Sequence, residues 1–424
     1  MSEPIEPDTS RRLSRRHLLW GGAAAAGVGA ATAAGVSIVG NTSGSVAPTS
    51  VGEGSQPGGT GEFTPQEAFE GAVPFYGAHQ AGIETPAQSN AVFIALDLRD
   101  DVDAAGLRRL MGVLTDDAAR LTAGQPALAD SEPELAVIPA QLTVTFGFGP
   151  RVVALAGKSA PDWLRPLPAF GIDQLDPAYC DGDLLLQIAA NDPLTVTHTA
   201  RMLLKDARSF ALPRWSQSGF RRAAGAENPA ATMRNLFGQL DGTGNPTPGT
   251  TEFNEAVWST DVPSWLEGGT SFVLRRIFMD LDGWDKIDRL GREETIGRTL
   301  DTGAPLTGTV EGDEPDLEAK DRLGFPVIPA FAHVRRAKEH EAANKMFRRG
   351  YNYDDIVLAG AESVSNSGLL FAAFQADVDK QFVPVQKALD TLDLLNTWTT
   401  PVGSAVFAIP PGCEPGGYIG DTLF

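Results

Sequence analysis

The chain has 424 residues, of which 34 are basic and 54 acidic, so its formal net charge is -20 and its isoelectric point is near 4.6. A negative field of this size repels phosphate backbones and argues against nucleic acid as a partner. The two cysteines, Cys180 and Cys413, are too few for a disulfide framework or a thiolate metal site, and we expect two unrelated thiols. The length suffices for two domains with full hydrophobic cores.

The N-terminal segment is typical of a twin-arginine export signal. Residues 14–19 read SRRHLL and precede an Ala/Gly-rich run that is too weakly apolar for a permanent membrane anchor. We therefore expect a signal peptide over residues 1–45, the twin-arginine translocase as a partner, and a periplasmic, cell-envelope or extracellular location. That route carries folded proteins, which favours a cofactor inserted before export. Residues 46–62 are rich in Gly, Ser and Pro and predict a disordered linker.

The first half of the remaining chain alternates strands and helices. VFIALDL from Val92, LTVTFG from Leu142 and DLLLQIAA from Asp183 predict strands. Helical periodicity follows Asp103 and Asp192, which are expected to cap the two helices. The order is that of a βαββαβ unit, and it predicts an N-terminal ferredoxin-like domain over residues 63–230.

The second half repeats this pattern. SFVLRRIFMD, which begins at Ser271, corresponds to the first strand of the first half. The segment that begins at Asp285 corresponds to the first helix, and GLLFAAFQAD, which begins at Gly368, corresponds to the later strand. The fold class is therefore α+β, with two duplicated ferredoxin-like domains, antiparallel sheets and a C-terminal domain over residues 231–424. We expect a ligand pocket between the packed domains, and a surface loop over the acidic insertion at 302–321.

The five histidines differ in their suitability as cofactor ligands. His17 lies in the signal, His340 in a charged helical run, and His198 beside a buried helical stripe. His79 follows a Gly near the start of the fold and is interpreted as a core or entrance residue. His333 ends an apolar segment, VIPAFAH, and precedes two arginines. Two interpretations of His333 stay open: a half-buried structural histidine and a haem ligand. A zinc site is excluded, because a single histidine cannot form one.

The stretch GQLDG at residues 238–242 raises a similar choice for Asp241. Asp-Gly is a turn signal, so Asp241 is interpreted first as a turn former and alternatively as a chemical group. Together with AHVRRA at 332–337 and FRRGYNYD at 347–354, this stretch resembles the motifs of the dye-decolourising peroxidases, a family of haem peroxidases. The resemblance extends over most of the chain from about Phe75 to Gly412, and the export signal resembles that of the exported branch. Gln239 and Leu240 stand where an aromatic residue and a lysine are frequent in the family.

The resemblance implies one haem b per chain, in a pocket of the C-terminal half, with His333 as the axial ligand of the iron. On the opposite face it implies Asp241 as the catalytic acid–base group that moves the peroxide proton. Arg348 is implied as the cation that stabilises the separating charge, in preference to Arg349.

Further haem contacts are expected from the backbone of Gly242, Thr243 and Gly244. Arg335 is expected to pair with a propionate, with a surface arginine as the alternative. The second nitrogen of His333 should donate to a carboxylate, for which Asp377 is the candidate; a helix cap explains Asp377 equally well.

The resemblance implies a peroxidase that reduces hydrogen peroxide through a ferryl intermediate and oxidises dyes, phenols or other one-electron donors. An exported protein of the deferrochelatase type, which releases iron from haem, and a non-catalytic haem-binding protein are the alternatives. The natural donor and a homo-oligomeric state stay open.

Overall fold

The computed structural model describes residues 69–228, 231–338, 345–357, 360 and 363–424. The predicted signal peptide, the predicted linker and His340 lie outside these residues. In the described part of the chain no helix combines the length and apolar character needed to cross a membrane. Residues Gly61–Phe424 form one compact unit.

The first half forms the predicted βαββαβ unit. Asp103 and Asp192 cap their helices as predicted, since their carboxylates accept from the backbone N–H groups of Gly106 and Thr195. The strand order β2-β3-β1-β4 is antiparallel throughout and has the ferredoxin-like topology. The elements are β1 (Asn90–Leu98), α1 (Ala104–Thr122), β2 (Thr143–Phe148), α2 (Pro150–Leu155), β3 (Leu184–Ala190), α3 (Pro193–Ala207) and β4 (Ala211–Phe220).

The second half repeats the topology with a longer first crossover. Its main sheet has the antiparallel order β9-β5-β8-β7, and the short strand β6 also pairs with β8. The elements are α4 (Thr251–Val257), β5 (Thr270–Met279), α5 (Leu281–Trp284), α6 (Arg289–Ile296), α7 (His333–Lys338), β6 (Phe347–Arg348), β7 (Tyr351–Asp355), β8 (Asn366–Gln375), α8 (Phe382–Leu392) and β9 (Thr399–Ile409). Short 3₁₀ turns lie at Pro133–Leu135, Pro177–Tyr179, Ser264–Leu266, Leu394–Thr397 and Asp421–Leu423.

The helix in the segment after Asp285 is shorter than the helical periodicity of that segment predicts. It starts at Arg289, where the Asp288 carboxylate accepts from the N–H of Gly291, and ends at Ile296. Gly297 follows in the left-handed conformation, with φ of 87°. A glycine there stops the helix, because other residues adopt this conformation with strain.

The two sheets join at both edges and enclose an aromatic core. Phe148 pairs with Ala408 at one junction, and Phe220 pairs with Asn352 at the other. Side chains of both sheets fill the space between them, among them Phe93, Phe272, Tyr351, Phe374 and Phe407. The expectation of a ligand pocket between the packed domains is therefore wrong: this layer is closed by large apolar side chains. The thiols of Cys180 and Cys413 are both buried and free, as expected.

Candidate active site

The main cavity lies on the outer face of the C-terminal sheet. It has a volume of about 480 Å³ and opens between that sheet and helices α7 and α8. Apart from Ile172, its lining residues belong to the second half of the chain. Its walls are largely apolar, and they include Ile277, Met279, Leu369, Phe371 and Leu389. The volume is in the range of small-molecule and cofactor sites.

One wall of the cavity presents the imidazole of His333, the first residue of α7. Its Nδ1 lies 2.6 Å from Oδ2 of Asp393, whose side chain is only 2% exposed. The other carboxylate oxygen of Asp393 accepts from the N–H of Leu395, so the acid is fixed where α8 ends and a 3₁₀ turn begins. Nε2 of His333 has no hydrogen-bond partner among the described residues. The arrangement orients that nitrogen as a metal ligand.

Three charges determine the protonation of His333. Burial lowers its pKa, but the charge and hydrogen bond of Asp393 outweigh burial, so the net pKa is raised above the ordinary histidine value. Arg348 acts to lower this pKa and Asp241 to raise it. Both groups therefore lie near enough to the imidazole to influence it electrostatically.

Asp377 does not occupy the position expected for it. Its Oδ1 accepts from the N–H groups of Asp379 and Lys380, and its Oδ2 pairs with the ammonium of Lys380 at 2.9 Å. It closes the turn between β8 and α8, whereas the acid that reaches His333 follows the far end of α8. The assignment of Asp377 as the histidine partner is corrected to Asp393.

Arg335 is also displaced from its expected role. Its guanidinium donates to the carbonyl oxygens of Ile328 and Leu317, and its side chain does not line the cavity. Residues two apart on a helix point to different sides, so the helix that directs His333 inward directs Arg335 away. The basic side chains that do line the cavity are Arg275, Arg298, Lys338, Lys345 and Arg348. These contacts do not support the expected pairing of Arg335 with a propionate.

Across the cavity the GQLDG stretch forms a tight hairpin. Arg234 bridges Leu240, and the N–H of Asp241 donates to the carbonyl oxygen of Met233 at 2.8 Å. Gly238 and Gly242 have φ of 81° and 130°, values that residues with a Cβ rarely adopt. The turn interpretation of this stretch is thus confirmed, and the same turn directs Asp241 into the cavity.

Arg348 lies beside Asp241. One of its guanidinium nitrogens is 3.7 Å from Oδ1 of Asp241, and the two side chains are 29% and 19% exposed. Asn245 holds the backbone of Arg348 on both sides. Its Oδ1 accepts from the backbone N–H of Arg348 at 3.0 Å, and its Nδ2 donates to the backbone carbonyl of Arg348 at 2.7 Å. No sequence signal points to this role of Asn245, because an Asn-Pro pair usually indicates only a turn.

Arg349 points to the other side of the chain. It is buried and donates to the carbonyl oxygens of Thr85 and Pro86 and to the side chain of Gln88. Successive residues of an extended segment face opposite directions, which explains the different environments of the two arginines. The structure therefore favours Arg348 over Arg349 as the cavity cation.

The acidic insertion reaches the cavity as well. Gly242, Thr243 and Gly244 line it as expected, and the hydroxyls of Thr243 and Thr232 both donate to Oε1 of Glu311. The part of the insertion from Glu311 to Glu314 forms one rim of the cavity. The insertion is thus a loop, as predicted, but it contributes to the site, whereas acidic loops are usually only solvated.

The remaining described histidines serve structural roles. Nε2 of His198 lies 2.8 Å from Oδ2 of Asp130, and both side chains are buried in the first half of the chain. His79 stacks on Trp258 with a centroid distance of 3.6 Å, and its Nδ1 contacts the carbonyl oxygen of Gly268. Neither lines the cavity. Of the described histidines, only His333 faces it.

The residues present fit haem. A broad apolar cavity provides space for a flat macrocycle, and one imidazole with a carboxylate behind it provides the single protein ligand that haem iron takes in many proteins. The residues that the structure describes contain no group of three or more His, Cys, Asp or Glu side chains arranged to hold a metal ion directly. Two ferredoxin-like domains with a haem cavity of this kind, facing an Asp–Arg pair, define a haem peroxidase.

Comparisons with known proteins agree with this assignment to the haem peroxidases. The family described as "Dyp-type peroxidase, N-terminal" matches residues 80–221, and "Dyp-type peroxidase, C-terminal" matches residues 232–414. The chain belongs to the Dyp-type peroxidase family. It is 40% identical to a dye-decolorizing peroxidase of Thermobifida fusca across 99% of both chains. It is 35% identical to a deferrochelatase of Escherichia coli, across 82% of this chain and 86% of that protein.

Solved structures show the same relationship. The DyP-type peroxidase of Cellulomonas bogoriensis is 54% identical, with a TM-score of 0.81 over 84% of this chain and 99% of that one. Ferric DtpA of Streptomyces lividans is 38% identical, with a TM-score of 0.81 over 85% and 99%.

Proposed function

We propose that this haem-dependent peroxidase reduces hydrogen peroxide with Asp241 as the proton-transfer group and Arg348 as the stabilising cation, while His333 holds the haem iron. One observation carries the proposal. Asp241 and Arg348 lie 3.7 Å apart and line the same cavity as His333, whose second ring nitrogen is engaged by Asp393.

The reduction of one peroxide consumes two electrons and two protons, breaks the O–O bond and yields two waters. Haem, when bound, supplies the redox chemistry of this step. The Asp241 carboxylate accepts the proton from one peroxide oxygen and delivers it to the other, which then leaves as water. The Arg348 guanidinium is permanently charged and stabilises the negative charge that develops on the leaving oxygen. The Asp393 carboxylate keeps the His333 imidazole oriented and electron-rich.

The electrons come from one-electron donors, of which two molecules are used for each peroxide. We propose dyes, phenols and similar compounds as donors, in line with the name of the Thermobifida fusca relative. The export motif at residues 14–19 supports delivery by the twin-arginine translocase to the periplasm, the cell envelope or the exterior. A reporter fused to residues 1–45 should be exported, and replacing Arg15 and Arg16 with lysines should stop that export.

Replacement of Asp241 by Asn tests the catalytic assignment. The change keeps the shape of the side chain and removes its base, so the reaction with peroxide should slow by about 10² to 10⁴-fold while haem is retained. Stopped-flow mixing of haem-loaded protein with peroxide measures this rate. Asp321→Asn is the matched control, because Asp321 caps a turn outside the cavity through the N–H groups of Leu323 and Phe325. Equal rates for the two variants would return Asp241 to a purely structural role.

Iron release from haem is a second candidate, favoured by the relatives named deferrochelatase. The measurement is anaerobic incubation of the haem-loaded protein without peroxide, followed by detection of free iron and metal-free porphyrin. Stoichiometric release under these conditions supports this second activity. Peroxide-dependent turnover of a dye supports the first, and absence of both would leave a haem-binding protein.

A further inference from the structure

Gln239, in the hairpin that carries Asp241, has a buried amide without a protein partner. The residue is 3% exposed and lines the cavity, and its Nε2 has no hydrogen-bond partner among the described residues. Leaving such a buried donor unpaired is unfavourable, because it loses its hydrogen bond to water on folding. A side chain of this kind in a binding cavity indicates that a ligand supplies the missing acceptor.

The hairpin places this amide in the wall of the same cavity as Asp241. Gln239, Leu240 and Asp241 all line it, and Leu240 is held by its bridge to Arg234. Asn235 contacts both neighbours: its Oδ1 accepts from the N–H of Gln239 at 3.2 Å, and its Nδ2 lies 3.5 Å from Oδ2 of Asp241. The Asn235 side chain therefore ties the backbone of Gln239 and the carboxylate of Asp241 into one turn, from which both side chains line the cavity.

The neighbouring polar groups leave a role for a neutral donor. A carboxylate such as that of Asp241 serves as a hydrogen-bond acceptor, and Arg348, whose backbone N–H and carbonyl are held by Asn245, supplies a charged donor. We propose that Nε2 of Gln239 donates a hydrogen bond to the small oxygen or halide ligand held beside Asp241 and Arg348, and that peroxide is its physiological acceptor. This proposal rests on the proposed roles of Asp241 and Arg348.

Fluoride is a suitable probe, because it binds ferric haem without turnover and its affinity depends on nearby hydrogen-bond donors. In haem-loaded protein, Gln239→Leu should raise the fluoride dissociation constant about tenfold, the loss of one hydrogen bond to a charged acceptor. It should also shift the charge-transfer band of the fluoride complex. Gln217→Leu is the matched control: Gln217 is equally buried and also has an unpartnered amide atom, but it does not line the cavity. The control should leave fluoride binding unchanged.

Two results would overturn the proposal. The first is an unchanged fluoride affinity and spectrum in Gln239→Leu. The second is faster haem loss with unchanged fluoride affinity, which would assign the amide to a haem carboxylate instead. Gln239→Met, unbranched like glutamine, replaces the leucine variant if that variant does not take up haem. Because the assay requires no peroxide, its outcome is independent of whether Asp241→Asn slows catalysis.

Discussion

Asp393 orients the imidazole of His333. Oδ2 of Asp393 lies 2.6 Å from Nδ1 of His333. Asp393→Asn removes the negative charge behind the imidazole and makes the imidazole a weaker electron donor to iron. We expect haem to be retained, the ferric–ferrous midpoint potential to rise, and the rate of peroxide reduction to fall by about 10 to 100-fold. Spectroelectrochemistry and stopped-flow kinetics measure the two effects.

Asp377→Asn is the control for this prediction, since Asp377 only closes the turn before α8. Its midpoint potential should match that of the unmodified protein. A larger shift in Asp377→Asn than in Asp393→Asn would contradict the assignment of the histidine partner.

Replacing each of the two adjacent arginines by leucine should have a different effect: one on the peroxide reaction, the other on stability. Arg348→Leu removes the cation beside Asp241 and should slow the reaction with peroxide by at least tenfold at nearly unchanged stability. Arg349→Leu leaves three acceptors of residues 85–88 without their donor, of which the Gln88 side chain is buried, and should lower the free energy of unfolding by about 1–3 kcal/mol. Stopped-flow mixing and denaturant titration rank the two variants. A stable Arg349→Leu variant with the slower peroxide reaction would reverse the roles.

At the residue level, the sequence identified the groups that belong to recognisable motifs. The resemblance of their motifs to the peroxidase family predicts His333, Asp241 and Arg348, and the structure brings them to one cavity. Asp393 and Asn245 could not be selected, because each acts through a contact with a residue 60 or more positions away. A helix-terminal Asp and an Asn-Pro turn have local explanations that conceal such contacts.

Among the elements, the insertion at 302–321 connects the two sides of the cavity. Glu311 accepts from Thr243 on the Asp241 side, and Glu314 pairs with Lys338 on the helix of His333. Glu311→Ala should free both threonine hydroxyls and speed haem loss by about threefold to tenfold. Transfer of haem to a high-affinity acceptor protein measures this rate. Glu318→Ala, an exposed acid of the same loop, should have no effect; equal haem loss from both variants would show that the loop does not secure the cavity.

Helices α1 and α3 meet at a pair of acids, Asp117 and Asp206. Burial, followed by the hydrogen bond and charge of Asp117, raises the pKa of Asp206 from 3.8 to about 7. The folded state thus holds a proton that the unfolded state releases, so the free energy of unfolding should fall as pH rises from about 4 to about 7. We expect a loss of about 2 kcal/mol, because water screens part of this half-buried site.

Denaturant titrations across this pH range test the pair. Asp206→Asn keeps a hydrogen-bond donor without an ionisable proton, and it should remove this part of the slope and stabilise the protein at neutral pH. The same slope in Asp206→Asn as in the unmodified protein would exclude the pair as its source.

The strands and capped helices were predictable because their signals are local. Alternation predicts β2, apolar runs predict β1 and β3, and the internal repeat predicts β5 and β8. Asp103 and Asp192 predict the starts of α1 and α3. The predicted length of the helix after Asp285 is wrong, because the helical periodicity of the sequence continues beyond Gly297, where the backbone is left-handed. Local periodicity cannot indicate which glycine ends a helix.

In the part of the molecule that the structure describes, two similar units form a ring of eight strands, and β6 continues β7 along the same edge of β8. Internal repetition predicted the two units, because each βαββαβ pattern can be read separately. The resemblance implies a pocket in the C-terminal half, and the cavity lies there. The face of the sheet that forms it was not predictable, since repetition does not indicate which face of each sheet packs against the other. Aromatic side chains such as Phe93 and Phe272 close the space between the sheets, and the outer face of the second sheet is left for the cavity.

The proposed chemistry requires that this cavity bind haem through His333, and haem content tests this requirement. His333→Ala should lose most of the bound haem, with a Soret band and haem-to-protein ratio far below those of the unmodified protein. His79→Ala, which alters a histidine outside the cavity, should keep about one haem per chain. An unchanged spectrum and haem content in His333→Ala would contradict the account.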